Sequence, residues 1–219
     1  MKKINKVLIV MAHPDDEIIF GWPILQDPAI KKKILICSSD YNNPQRQWCK
    51  NRREALFEIG NYVDSEKTVC LDYNSEFYRS PTRPVTGAPP EEDEKVSGPW
   101  RLMCQHIIKT IEEMSKDCDA IFTHNPYGEY GHIDHIMLFD LVYKNFKKPI
   151  LITDLKQGSN WAKLPKNEER IEKLFYKNSF LKNCKLDKVL LSFCKSKYES
   201  KNAWTWSDPV IEGCNVYEI

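Results

Sequence analysis

The chain predicts an α/β protein: a Rossmann-like, doubly wound sheet, mostly parallel, forming a single domain. Three observations carry that expectation. Short apolar runs rich in Val, Ile and Leu recur without alternation, as strands buried on both faces do. The segments between them carry helical periodicity, which gives a β-α-β-α-β order. The length of 219 residues suits one such domain.

Val7 to Ala12 is the first strand. A helix is predicted over 16–26, stopped by Asp27-Pro28, and Lys33 to Cys37 is the second strand. A polar loop through Asn43-Pro44 leads to a helix near 45–62, with Ala55, Leu56, Ile59 and Val63 on its apolar side. Thr68 to Leu71 is the third strand. Residues 72–99 hold several prolines, two glycines and the acidic run Glu91 to Glu94. That stretch is too long for an ordinary connection and reads as a solvated loop or a lid. Trp100 to Lys116 is an amphipathic helix with Leu102, Ile107, Ile108, Ile111 and Met114 on one side. Asp119 to Thr123 and Pro149 to Thr153 are the fourth and fifth strands. Two further helices are predicted at 168–182 and 187–199, followed by a tail from Ala203. No repeat or boundary interrupts the sequence, so residues 1–219 are expected to form one domain, least constrained over 155–219.

Composition narrows the function. With 32 Lys and Arg against 31 Asp and Glu, no net field favours nucleic acid or an acidic membrane. No run is long and apolar enough for a membrane span. The apolar run after the first lysines is too short for a signal peptide, and cleavage there would remove the polar cluster that follows. Eight cysteines without a C-x-x-C pair read as buried, reduced thiols, and the expected location is cytoplasmic.

The first strand ends in Ala12-His13-Pro14-Asp15-Asp16-Glu17. Ligands bind at the carboxyl ends of strands in open α/β sheets. His13 and Asp16, three apart, can face the same way, and an imidazole with a carboxylate suits a transition metal, zinc above all. The fourth strand leads into Asn125-Pro126-Tyr127-Gly128-Glu129-Tyr130-Gly131-His132-Ile133-Asp134-His135. There His132 and His135 are again three apart, in a chain with five histidines. A catalytic zinc keeps about three protein ligands and an open position. Ligation by His13, Asp16, His132 and His135 together would close the site, so one histidine must do something else, and the residues alone do not say which. His124, at the strand end, reads as structural. The first strand-to-helix turn has no G-x-G-x-x-G, which argues against a dinucleotide site.

These two motifs resemble those of the PIG-L/LmbE-like zinc N-deacetylases, over roughly residues 4–155. Members of that family remove N-acyl groups from N-acetylglucosamine conjugates and related sugars. The resemblance implies a metal held by His13, Asp16 and His135, zinc or a substitute such as Fe(II) or Co(II). It implies Asp15 as general base. It leaves His132, oriented by Asp134, to stabilise the oxyanion or protonate the leaving amine, with Asp15 the alternative acid. Tyr130 matches a family tyrosine suited to the oxyanion. Ile133 stands where the family usually has proline. The family's Arg-x-x-Glu is matched only in its arginine, by Arg52 or Arg53. These two arginines, with Asn125 and Tyr127, are the expected substrate-binding residues, and Trp204 and Trp206 are candidate sugar platforms. The expected partner is a small N-acetylated sugar conjugate, in surface-polysaccharide or glycoconjugate synthesis. The alternatives are a zinc amidase acting on a non-sugar N-acyl conjugate and a non-catalytic sugar-binding module.

Overall fold

The computed structural model describes residues 3–39, 48–73, 94–155, 180–204, 206 and 212–219. Its centre is a seven-stranded mixed sheet in the order β3-β2-β1-β4-β5-β7-β6. The strands are β1 (Lys6–Met11), β2 (Lys31–Ser38), β3 (Lys67–Tyr73), β4 (Ala120–Phe122), β5 (Ile150–Thr153), β6 (Phe180–Lys185) and β7 (Gly213–Glu218). The first five run parallel. β7 is antiparallel to both β5 and β6.

β1 lies in the middle because it is apolar on both sides. Val7, Ile9 and Met11 enter one core; Leu8, Val10 and Ala12 enter the other. The first core is covered by α1 (Asp16–Ile19), α2 (Trp22–Leu25), α3 (Trp48–Tyr62) and α7 (Lys188–Glu199). The second is covered by α4 (Glu94–Ser115) and α6 (Ile133–Asn145), the latter preceded by a single kinked turn, α5 (Gly128–Gly131). Ile9 is fully buried. Ile9→Ala is expected to cost about 2–5 kcal/mol in urea unfolding; a cost below about 1 kcal/mol would show that the first core does not pack tightly around β1.

The five apolar strands fall where their runs predict. Three features differ from expectation. The helix expected over 16–26 is two short pieces, because Pro23 at the start of α2 cannot continue a helix from Ile19. α4 begins at Glu94, ahead of the expected Trp100. Residues 180–182, expected to end a helix, lie in β6, and the tail contains β7. Pairing of β6 with β7 overrides local propensity there. The rest of the expected 168–182 helix, and most of the expected 72–99 loop, lie outside the described residues. All eight cysteines are free and buried. Among the described residues no helix is long and apolar enough to cross a membrane.

The strand order reverses between β1 and β4. In a doubly wound sheet this is where a crevice opens beyond the carboxyl ends. The loops after these two strands carry the two polar motifs.

Candidate metal centre

The first loop turns sharply. Asp15 adopts φ 101°, a left-handed conformation rare for a residue with a side chain. The turn is held from beneath by Glu17, whose Oε2 accepts the Asp15 backbone N–H at 2.8 Å. The other Glu17 oxygen accepts the Tyr198 hydroxyl at 2.7 Å. The second loop needs glycine at 128: its φ is +62°, and a Cβ there would sit 2.9 Å from Ile136.

Between the loops, donor atoms gather around Asp16. Its Oδ2 accepts the His13 backbone N–H at 2.8 Å and lies 3.2 Å from His13 Nδ1. The same oxygen is 3.2 Å from His135 Nε2. Ligand bonds of 2.0–2.1 Å in tetrahedral geometry put neighbouring ligand atoms about 3.3 Å apart, so both spacings suit a shared divalent ion. Burial works against the Asp16 charge, but His135, His124 and His13 hold its pKa well below the usual carboxylate range.

The hydrogen bonds distinguish the histidines. Two overlapping donor sets, His13–His132–His135 and Asp16–His124–His135, each lie within 4.8 Å. His124 Nε2 accepts the Ala12 backbone N–H at 3.0 Å, so its lone pair is engaged. His132 caps α6: its Nδ1 accepts the Asp134 N–H at 3.2 Å. Its proton is then on Nε2, which makes that nitrogen a donor. Burial, with His135 and His13 nearby, pushes the His132 pKa far down and keeps the ring neutral. His135 differs from both. It is fully buried, its Nδ1 is 2.7 Å from Glu129 Oε2, and its Nε2 has no hydrogen-bond partner among the described residues. With the proton on Nδ1, a bare lone pair faces the Asp16 carboxylate. Two electron-rich atoms at 3.2 Å repel unless a cation lies between them, so the residues fit a divalent metal.

The other expected site residues divide. The Asp15 carboxylate pairs with buried Arg52, and Trp206 Nε1 donates to the same oxygen, Oδ2, at 3.1 Å. Burial draws the Arg52 pKa down to about 10, which leaves the side chain cationic. Trp206 packs edge-on against Phe20 and Tyr130. The Tyr130 ring lies against His132 and His135, and burial raises its phenol pKa so that it stays protonated.

Four other expected site residues take these places. The Asp134 carboxylate is 2.9 Å from His13 Nε2 and 4.0 Å from His132 Nδ1, so its side chain orients His13; His132 is met by its backbone N–H. Arg53 forms an ion pair with Asp72 at 2.9 Å, tying α3 to β3. Asn125 is fully buried and engaged by the chain: its Nδ2 donates to Leu155 O, and its Oδ1 accepts from Tyr127 and Glu129. Tyr127 is buried in the second core. These last two residues help to build the loop.

Sequence reasoning missed Glu129, which faces two imidazoles. Burial would raise its pKa, yet His124 and His135 hold it down at about 2. The one signal was a carboxylate inside a strand-to-helix motif with no helix of its own to cap. Trp206 was a candidate, but its contact with Asp15 spans 191 positions and has no sequence signature.

A sequence model of the GlcNAc-PI de-N-acetylase (PIG-L) family matches residues 8–146. An uncharacterised protein of Acanthamoeba polyphaga mimivirus is 26% identical over 156 residues, or 64% of this chain. The chain spans 57% of that curated relative's length. Among solved structures, an inhibitor complex of N,N'-diacetylchitobiose deacetylase from Pyrococcus horikoshii superposes with a TM-score of 0.58 at 12% identity, over 99% of this chain and 84% of that one. A deacetylase of the teicoplanin biosynthesis pathway gives 0.57 at 13% identity, over 97% of each chain. At such identities these likenesses speak to the fold, which they share.

Proposed function

Since the chain belongs to the GlcNAc-PI de-N-acetylase (PIG-L) family, we propose that it is a divalent-metal-dependent hydrolase removing an N-acetyl group from an amino-sugar conjugate. The observation that carries this reading is the buried His135 Nε2, without a hydrogen-bond partner among the described residues and set 3.2 Å from the Asp16 carboxylate. His13, Asp16 and His135 would hold the ion, and their nitrogen and oxygen donors suit zinc, with Fe(II) or Co(II) as substitutes. Bound there, the ion supplies Lewis-acid polarisation of the amide carbonyl and a water of lowered pKa.

The chain's own groups supply the rest. Asp15 has Oδ2 tied to Arg52 and Trp206, which leaves Oδ1 to take a proton from the attacking water. Arg52 thus acts by orienting the base, in place of the sugar contact expected for it. His132 presents Nε2–H from a ring kept neutral, which makes it a hydrogen-bond donor to the developing oxyanion. A neutral imidazole has no second proton to give, so the proton collected by Asp15 passes to the leaving amine. Tyr130, a protonated phenol beside His132, is a second donor toward the same oxygen. A cytoplasmic N-acetylated sugar conjugate is the substrate this reading names. The family's description, GlcNAc-PI de-N-acetylase, names an N-acetylated sugar, as does the name of the N,N'-diacetylchitobiose deacetylase of like fold, which supports the sugar class.

The test is acetate release from N-acetylglucosamine conjugates (free oligosaccharide, nucleotide-linked and lipid-linked) after chelation and after metal return. Metal-restored release from at least one supports the proposal. Release only from non-sugar N-acyl amides would move the protein to the amidase class.

The two tail tryptophans should separate in the same assay. Trp204 packs on Tyr198 and under Lys195. Trp206→Phe removes a hydrogen bond to a charged group, worth about 1.5–3 kcal/mol, so kcat/KM should fall by about 10–100-fold. Trp204→Phe should lower thermal stability with kcat/KM unchanged. Equal kinetic effects of the two would remove the special role of the Trp206 indole.

A further inference from the structure

Glu129 does something the reaction scheme above leaves unassigned. It is buried, and it adopts φ 55°, ψ −53°, a conformation that side-chain-bearing residues rarely hold without a reason. Its carboxylate is fully engaged. Oε2 meets both His135 Nδ1 at 2.7 Å and His124 Nδ1 at 2.9 Å, and Oε1 accepts the Asn125 N–H at 2.9 Å. The two imidazoles are stacked, with centroids 3.7 Å apart and planes 15° from parallel. One carboxylate oxygen therefore receives both Nδ1–H groups, and both rings have their free lone pair on Nε2. For His124 that lone pair accepts the N–H of Ala12, the residue before His13. For His135 it faces Asp16.

We infer that Glu129 is a positioning residue for the metal centre: it sets the tautomer and plane of His135 and, through His124, fixes the end of β1 that carries His13 and Asp16. This rests on the reading of His135 as a metal ligand. A glutamine in its place has one carbonyl oxygen and an NH₂ that donates. Its oxygen can face the imidazoles only by turning the NH₂ onto the Asn125 N–H, donor against donor, so the side chain shifts and a ring turns or changes tautomer with it. Either event moves a lone pair. Loss of a carboxylate that orients a ligating histidine weakens metal binding by about 10–100-fold.

The experiment measures zinc dissociation constants by competition with a chromophoric chelator for the parent chain, Glu129→Gln and Glu129→Gly. Glycine deletes the carboxylate while fitting φ 55° without strain, so it keeps the test alive if Glu129→Gln fails to fold. Expected are affinities about 10–100-fold weaker in both variants. In the parent without metal, long-range ¹H–¹⁵N spectra should show His124 and His135 protonated on Nδ1. Parent-like affinity in the folded variants, or an Nε2–H tautomer at His135, overturns the inference. Acetate release is not read. A parent that binds zinc but deacetylates nothing sinks the proposed activity alone, and a parent that binds no zinc sinks the metal-centre reading first.

Discussion

Asp15→Asn is expected to lower kcat by about 10²–10⁴, the range for loss of a general base, while metal stoichiometry stays at the parent value. Asparagine keeps the shape of the side chain and can still accept from Trp206, but it cannot take the water's proton. The structure adds a second effect. Arg52 is buried against Asp15, and neutralising that carboxylate removes a negative charge from beside a buried cation. Breaking one side of a buried pair typically costs about 3–5 kcal/mol. Adding Arg52→Met to Asp15→Asn should return much of that stability without returning activity. Stability and kcat recovering together would mean that the loss came from misfolding, and Asp15 would leave the mechanism.

His135→Ala should remove the metal and reduce acetate release to the uncatalysed level. His132→Ala should retain the metal and lose about 10²–10³ in kcat, as for removal of one oxyanion donor. The opposite pattern, metal lost with His132 and kept without His135, would reverse their roles. Metal affinity should also depend on pH with a definite sign. Burial opposes the charge on His13, yet hydrogen bonds to Asp134 and Asp16 carry its pKa up to about 9. Below that value an incoming metal must displace a proton, so apparent affinity rises with pH, by about tenfold per unit, and acidification releases the ion. An affinity flat between about pH 6 and 8 would show that His13 gives up no proton on binding.

What could be read from the sequence followed the range over which each feature is determined. β1, β2 and β5 are continuous apolar runs, and double-sided burial needs nothing else to announce it. β6 reads Phe-Leu-Lys-Asn-Cys-Lys, with only Cys184 buried, and is a strand because β7 lies beside it. The break between α1 and α2 was legible in Pro23 and went unweighed. His13, Asp16, His132 and His135 stood out because each loop carries its own pair at close spacing. Their division of labour did not. It depends on which ring nitrogen meets Ala12, Asp134 or Glu129, and those are contacts between loops about 110–120 positions apart or settings of a single backbone turn. Arg52 and Arg53 are adjacent in sequence, and only the direction each side chain takes from α3 separates a partner of Asp15 from a partner of Asp72.

The place of β7 bears on how the protein is made. The strand nearest the carboxyl end is inserted between β5 and β6, and Trp206, just before it, supplies a donor to Asp15. On the ribosome, the five parallel strands and the proposed ligand residues His13, Asp16 and His135 emerge first. At about 5–20 residues per second, several seconds then pass before Trp206 follows. During that interval a nascent chain can close the loops after β1 and β4 while β6 still lacks its sheet neighbour and Asp15 lacks the indole. Metal capture would then precede competence for chemistry, and chains arrested between residues 155 and 206 should hold the ion while hydrolysing little.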